Sequence, residues 1–368
     1  MTHHPDTGLP QRVALGVLLR SFPPAQVDAV LDAADRREQR QRLLPARLMV
    51  YFTLGMWIFK ALPYEQILAE ILRNAPGLAL PAAAAEETAS AAAIGRARRR
   101  LGVEPLRLLF EQAAGPATPP AAASFRGLRP VRLRRVDVGV PATPANLLGF
   151  GGTPCPHAAA PQAAAATARA PRTPLHAPLS LLIEDGTGRV AAVDVADACR
   201  PTELLSGVAA EGSILIMNER PLCSRLWTSA ERLGAEQLWP LAETAQPSSA
   251  TRLPDGSLLG KLPAEDGPEL MVRIVSRPAR AGRLATSILD HRLAPAAELA
   301  ALYDGRRAGP GFGGLGGPGG DTLELRSKDP EMVRQELYAM LCVHHAIGDL
   351  IEPTQGIAES GRWRFGAP

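Results

Sequence analysis

Three stretches of this chain are expected to add little to a packed interior, and they limit what the remainder can build. Residues 151–178 (GGTPCPHAAAPQAAAATARAPRTPLHAP) have no hydrophobic period and almost no bulky apolar side chain, so nothing offsets the entropy of ordering them. Residues 75–93 form an Ala/Pro-rich run that reads as a linker or a poorly formed helix, and 304–320 include RRAGPGFGGLGGPGG, whose glycines and prolines disfavour any helix. The core must come from what lies between and around them. With 368 residues and 46% hydrophobic content, enough remains for two to three domains.

The first block, 12–74, reads as helical. Val13, Val17 and Leu18 precede a break at Phe22-Pro23-Pro24, and Val27, Val30 and Leu31 follow it. Arg36 to Arg42 make a charged hinge, and Pro45 is placed to open the next helix. That helix carries the most apolar segment, LMVYFTLGMWIF at 48–59, too short to span a bilayer and flanked by Arg47 and Lys60. Trp57 and Phe59 read as core residues. Polar tails are expected at 1–11 and 353–368, with the first disordered and no secretory pattern in it.

A basic helical segment follows at 94–120. Arg96, Arg98, Arg99 and Arg100 precede a Gly-x-Glu-Pro turn and a second helix at 106–113, a helix-turn-helix outline. Two readings stay open there: phosphate contacts to DNA, or a solvated basic helix face. Lys+Arg total 40 against 37 Asp+Glu, a formal +3, and only three lysines are present (Lys60, Lys261, Lys328). Arginine forks suit phosphates, and a GC-rich gene produces the same bias. Cys155, Cys199, Cys223 and Cys342 show no metal-ligand spacing, and His344-His345 lies in a helical apolar pattern as a core-edge pair.

The stretch 131–146 begins with alternating apolar and basic residues, continues through Val136, Val138 and Val140 on the opposite parity, and stops at Pro141. It predicts a strand running into a turn. Strands at 179–183 and 190–195, joined through Asp185-Gly186-Thr187-Gly188, predict a hairpin. SILIM at 213–217 is an apolar strand leading to a helix that ends in Leu226-Trp227, and Leu253-Pro254-Asp255-Gly256-Ser257 is a turn between strands. A strand at 269–275, a helix at 298–307, a short strand ending at Lys328 and a long helix opened by Asp329-Pro330 complete the chain.

These motifs resemble the insertion-sequence-four family of DDE transposases. The helical block at 12–72, the Ala-Arg-x-Arg-Leu-Gly-like segment at 94–116, the tail Val140, Pro141, Thr143, Pro144, Ala145, Asn146 and the C-terminal block 323–350 carry the resemblance. It implies an α+β chain: an all-helical N-terminal domain, then a ribonuclease-H-like mixed sheet flanked by helices. The implied division is a helical domain at 12–74, a linker at 75–93, the basic segment at 94–120 and a transposase core at 121–352 with flexible insertions at 151–178 and 304–320.

In such transposases three carboxylates hold two Mg²⁺ or Mn²⁺ ions for phosphodiester cleavage and strand transfer. Ungapped counting puts the first acid position on Arg134 and the second on Asn218. In the Tyr-x2-Arg-x3-Glu-x6-Lys motif, Tyr303 and Arg306 match, whereas Pro310 takes the Glu position and Gly317 the Lys position. Glu219 and Asp137 are poor replacements, because each lies an odd number of residues from the position it would fill. The expectation is a degenerate transposase with no catalytic carboxylate, no metal and no cofactor of its own. It would be cytoplasmic and homo-oligomeric, clear of membranes, and would bind DNA at element ends. The alternatives are a non-catalytic DNA-binding protein or repressor, and a decayed product with no stable function, which would fold with poor cooperativity.

Overall fold

The computed structural model describes residues 9–38, 42–75, 78, 89–114, 124–151, 175–195, 204–206, 212–217, 222–264, 267–277, 282–305 and 324–351. Six helices come first: α1 (Leu9–Ser21), α2 (Pro24–Ala33), α3 (Ala46–Ile58), α4 (Tyr64–Asn74), α5 (Ala91–Leu101) and α6 (Glu104–Ala113). Pro23, Pro45 and Pro63 stand at the N-caps of α2, α3 and α4 in extended conformation. Their ring fixes φ and sets each helix start. Helix α3 is buried almost all round, from Leu48 to Met56, as a helix with no polar face must be. A Cβ on Gly55 would lie 2.8 Å from Ile71 Cδ1, so glycine permits the close approach of α3 and α4.

The sheet has nine strands: β1 (Arg129–Val140), β2 (Leu175–Glu184), β3 (Val190–Val195), β4 (Ser213–Met217), β5 (Glu236–Leu241), β6 (Ala250–Arg252), β7 (Leu258–Leu262), β8 (Leu270–Ser276) and β9 (Arg283–Thr286). Their order is β3-β2-β1-β4-β5-β9-β8-β7-β6. β1, β2 and β3 pair antiparallel, β4 and β5 run parallel to β1, and the remaining pairs are antiparallel. The 3-2-1-4-5 order with these polarities is the ribonuclease-H-like arrangement, extended here by a four-stranded antiparallel edge. The remaining helices are α7 (Pro144–Phe150), α8 (Ser224–Arg232), α9 (Ala296–Asp304) and α10 (Pro330–Ile351).

The change of parity in β1 follows from what covers each face. Val131 and Leu133 pack on one face with Leu215, Met217, Trp227 and Trp239. Farther along, that face loses its cover and Asp137 is exposed, while Val138 and Val140 on the other face join the core built from the helical block, β2 and α10. This core runs from Val17 to Ala346. It therefore crosses the expected boundary at residue 120, because the last helix returns to pack against α3 and α6.

Several expected boundaries shift. Helix α5 starts at Ala91, inside the expected linker, because the Ser90 hydroxyl accepts from Ala93 N at 3.3 Å and caps it. β2 starts at Leu175, inside the expected flexible insertion, because β1 is long enough to pair Val140 with Leu175. The turn after β1 becomes helix α7, capped by Thr143. α8 continues past Trp227 to Arg232. The expected strand ending at Lys328 is reduced to a bridge between Gly139 and Glu324.

The hairpin turn at 253–257 anchors α9. Arg273 on β8, fully buried, donates to Ser257 Oγ at 2.8 Å, Asp255 Oδ2 at 2.6 Å and Ala294 O at 2.8 Å. Asp255 Oδ2 also accepts from Ala296 N, the first residue of α9, at 2.9 Å. Burial opposes ionisation of Asp255, and the Ser257 hydroxyl, the Ala296 and Ser257 N–H groups and the Arg273 charge outweigh it, bringing the carboxyl from 3.8 to about 2. A depressed folded-state pKa contributes stability that is present above pH 3.8 and lost as pH falls towards 2. Asp255→Asn is therefore expected to lower the melting temperature at pH 7 and to flatten its fall between about pH 4 and 2, as read by circular dichroism melts across that range.

Candidate functional site

The site expected from the sequence is a meeting of β1, the end of β4 and the helix carrying Tyr303. The structure brings β1 and that helix together. Even-numbered residues of β1 share one face, with Arg132 opposite Ile183, Arg134 opposite Leu181 and Val136 opposite Leu179. Arg132 is buried and reaches the C-terminal end of α9, where Nη2 donates to Leu302 O at 2.8 Å and Nη1 to Tyr303 O at 3.4 Å. Its Nε lies 2.6 Å from Asp185 Oδ1 in the β2–β3 turn. Burial raises the Asp185 carboxyl above its ordinary value, against the pull of Arg132. One guanidinium thus joins β1, the hairpin turn and the last carbonyls of α9, which have no intrahelical partners.

Arg134 is half-buried two positions along on the same face. Leu133 is in register with Met217, the residue before Asn218, and Asn218 itself lies outside the described residues, as do Arg306, Pro310, Gly317 and Glu219. Tyr303 is buried in the last turn of α9 under the Arg277 guanidinium, 4.9 Å from its ring centroid. Asp137 is exposed on the opposite face of β1 and pairs with Arg135 at 3.5 Å. Its carboxylate therefore points away from the Arg134 position.

The sequence reading missed Arg132. Its signal was the alternation Val131-Arg132-Leu133-Arg134, which puts two arginines on one face of a strand that is covered on both sides. A charge so placed needs partners, and the C-terminus of α9 with Asp185 supplies them.

The basic segment separates into two kinds of arginine. Arg96 and Arg99 are exposed on α5, and Arg100, also exposed, pairs with Glu38 at 3.3 Å. Arg98 corrects the expectation: it is fully buried and hydrogen-bonds to Gln335 Oε1 at 2.9 Å, Tyr64 Oη at 2.9 Å, Ser327 Oγ at 3.2 Å and Met332 O at 3.3 Å. Its spacing on α5 turns it inwards with Ile94, Ala97 and Leu101. It cannot meet a phosphate. His344 and His345 likewise face inwards, with Nε2 donating to Gly188 O and Val190 O at 3.2 and 3.0 Å. Burial, with Arg189 and His344, pushes His345 down to about 3.

The described elements define an α+β protein in which a helical block and a ribonuclease-H-like sheet share a core. Residues 12–111, which span all but the first three residues of α1 and continue into α6, match the family model described as "Insertion element 4 transposase N-terminal". No curated protein matches the sequence. Among solved structures, the chain is similar to the piggyBac transposase in a cryo-EM synaptic complex with hairpin DNA, at 11% identity and a TM-score of 0.42, covering 95% of this chain and 77% of that one. Among the described residues, no helix is long and apolar enough to cross a membrane.

The two kinds of arginine predict opposite phenotypes. Arg98→Met strands buried polar groups on Gln335 and Ser327 and should cost about 3 kcal/mol or more in denaturant unfolding. Arg96→Gln with Arg99→Gln should change stability by less than about 0.5 kcal/mol. Equal effects of the two substitutions on stability would contradict the division.

Proposed function

We propose that this protein is a DNA-binding protein of transposase descent that no longer cleaves DNA. The observation carrying the reading is Arg134. On a ribonuclease-H-like sheet, the middle of β1 beside the end of β4 is where the resemblance puts the first metal-binding carboxylate. Here a guanidinium stands on that face of β1, two residues from a second one on Arg132.

The donor set at this position does not fit Mg²⁺ or Mn²⁺, which take anionic oxygen ligands. A guanidinium about 4 Å from a dication costs roughly 4 kcal/mol per unit of cation charge at an effective dielectric of 20. The amide of Asn218 and the Pro310 ring, at the other two acid positions of the resemblance, supply no negative charge either. These three positions therefore offer no anionic oxygen to a divalent ion.

DNA binding is supported by the match of residues 12–111 to a transposase N-terminal model and by Arg96, Arg99 and Arg100 on the outer side of α5. In this reading the protein occupies element ends in the cytoplasm, as a homo-oligomer, and acts as a repressor or as an inactive partner of an active relative. The shared core favours this over a decayed product, because burial joins α1 to α10 in one cluster.

The test uses the full chain with the duplex flanking its own gene and a scrambled duplex, in a salt series with and without Mn²⁺, with nicked product scored in the same reactions. Retention of the flanking duplex without nicking is expected. Mn²⁺-dependent nicking that persists in Asp137→Asn and Glu219→Gln variants would contradict the loss of catalysis. Retention of neither duplex at any salt would contradict DNA binding.

A further inference from the structure

The segment after α2, the start of α3 and the last turn of α5 enclose a cleft of about 330 Å³. Four arginines line it (Arg36, Arg37, Arg42 and Arg100), against the carboxylates of Asp35 and Glu38. Arg37 is turned towards α2, where it meets Asp32 at 2.6 Å and Asp28 at 3.7 Å. The other three remain for the cleft. They come from two stretches of chain, the hinge between α2 and α3 and the last turn of α5, so the fold adds Arg100 to the basic run at 36–42.

Glu38 is the present occupant. Its carboxylate accepts from Ala46 N at 3.1 Å and lies 3.3 Å from Arg42 Nε and 3.3 Å from Arg100 Nη2. Its side chain is only 16% exposed, whereas those of Arg42 and Arg100 are 49% and 40% exposed. One carboxylate therefore sits at the base of a cleft whose cationic rim remains open to solvent. Two oxygens do not saturate three guanidinium forks, each with five donors. A phosphate group offers more acceptor oxygens in a geometry those forks match. Arg96 and Arg99, exposed on the same helix as Arg100, extend the positive surface outwards from the cleft.

We infer that the Arg36–Arg42–Arg100 cleft is a phosphate-binding site in which Glu38 is a displaceable internal anion. A DNA backbone phosphate is the source that follows from the proposed function, on which this part of the inference rests; free phosphate is the other source of the same chemistry. Binding moves Arg42 and Arg100 from the carboxylate to the phosphate and leaves Glu38 with the Ala46 N–H. Glu38 then opposes polyanion binding in the resting protein. Its neutral isostere, which keeps an acceptor for Ala46 N, removes that opposition.

The test compares the full-length wild type, Glu38→Gln, the double variant Arg36→Gln/Arg42→Gln and, as a surface control away from the cleft, Lys261→Gln. Duplex affinity is read by fluorescence anisotropy across a salt series. In a second arm, the melting temperature is read with and without inorganic pyrophosphate. Glu38→Gln is expected to bind duplex roughly threefold or more tightly. The double variant should lose affinity, with the slope of log K against log salt reduced by about 2. Lys261→Gln should match the wild type, and pyrophosphate should raise the melting temperature of the wild type but not of the double variant.

A double variant with wild-type affinity, slope and pyrophosphate response overturns the cleft and leaves DNA binding through α5 standing. A pyrophosphate response confined to chains with an intact cleft, in a protein that binds no duplex, supports the cleft with free phosphate and overturns the DNA reading. Weaker binding by Glu38→Gln contradicts its role as a competing anion.

Discussion

The buried guanidinium of Arg98 is the contact on which the arrangement of the chain depends. A positive charge with no exposure must have every donor satisfied, and the partners of Arg98 come from distant parts of the sequence: Tyr64 on α4, Ser327, and Met332 and Gln335 on α10. The Ser327 hydroxyl passes the interaction on, donating to Glu336 Oε2 at 2.5 Å, while Glu336 also accepts from the N–H groups of Arg326 and Ser327. Trp57 Nε1 donates to Glu336 O at 2.9 Å and brings α3 to the same place. The helical block is consequently tied to the last helix by polar contacts as well as by the apolar core, and the sheet between them in sequence is held against both.

That tie also sets which charges face outwards. With Arg98 pinned inside, the 100° advance per residue turns Arg96, Arg99 and Arg100 to solvent, and Arg100 reaches the cleft beside α3. On the sheet, Arg132 plays a comparable part for α9. Its bonds to Leu302 O, Tyr303 O and Asp185 fix the C-terminal end of the helix against β1, while Asp255 and Arg273 fix its start. The helix that leads towards the third acid position of the resemblance is thus clamped at both ends.

Much of this was legible in the sequence where a period or a punctuating residue was strong. Pro45 marked a helix start, Phe22-Pro23-Pro24 marked the break before α2, the β2–β3 hairpin followed from its Asp-Gly-Thr-Gly turn, and the apolar segment at 48–59 read as core of a helical block. Elements whose boundaries depend on distant partners were not legible. β2 begins at Leu175 only because β1 extends far enough to pair with it, and the helix at 144–150 needed the Thr143 cap. Arg98 was read as a DNA-facing charge, and Arg132 was missed, because composition cannot tell which arginine of a run faces a partner far away in sequence, as Gln335 is from Arg98. Of the three acid positions, Arg134 is described and lies on the α9 side of β1, while Asn218 and Pro310 fall outside the described residues.

The proposed loss of catalysis depends on one electrostatic statement: a site built on Arg134 does not hold divalent ions. Calorimetric titration of the full-length protein with Mn²⁺ at moderate salt measures this directly. Only weak, non-saturating heats are expected, unchanged in Arg134→Ala. Saturable binding of one or two Mn²⁺ ions per chain, with a dissociation constant in the micromolar range, would contradict it.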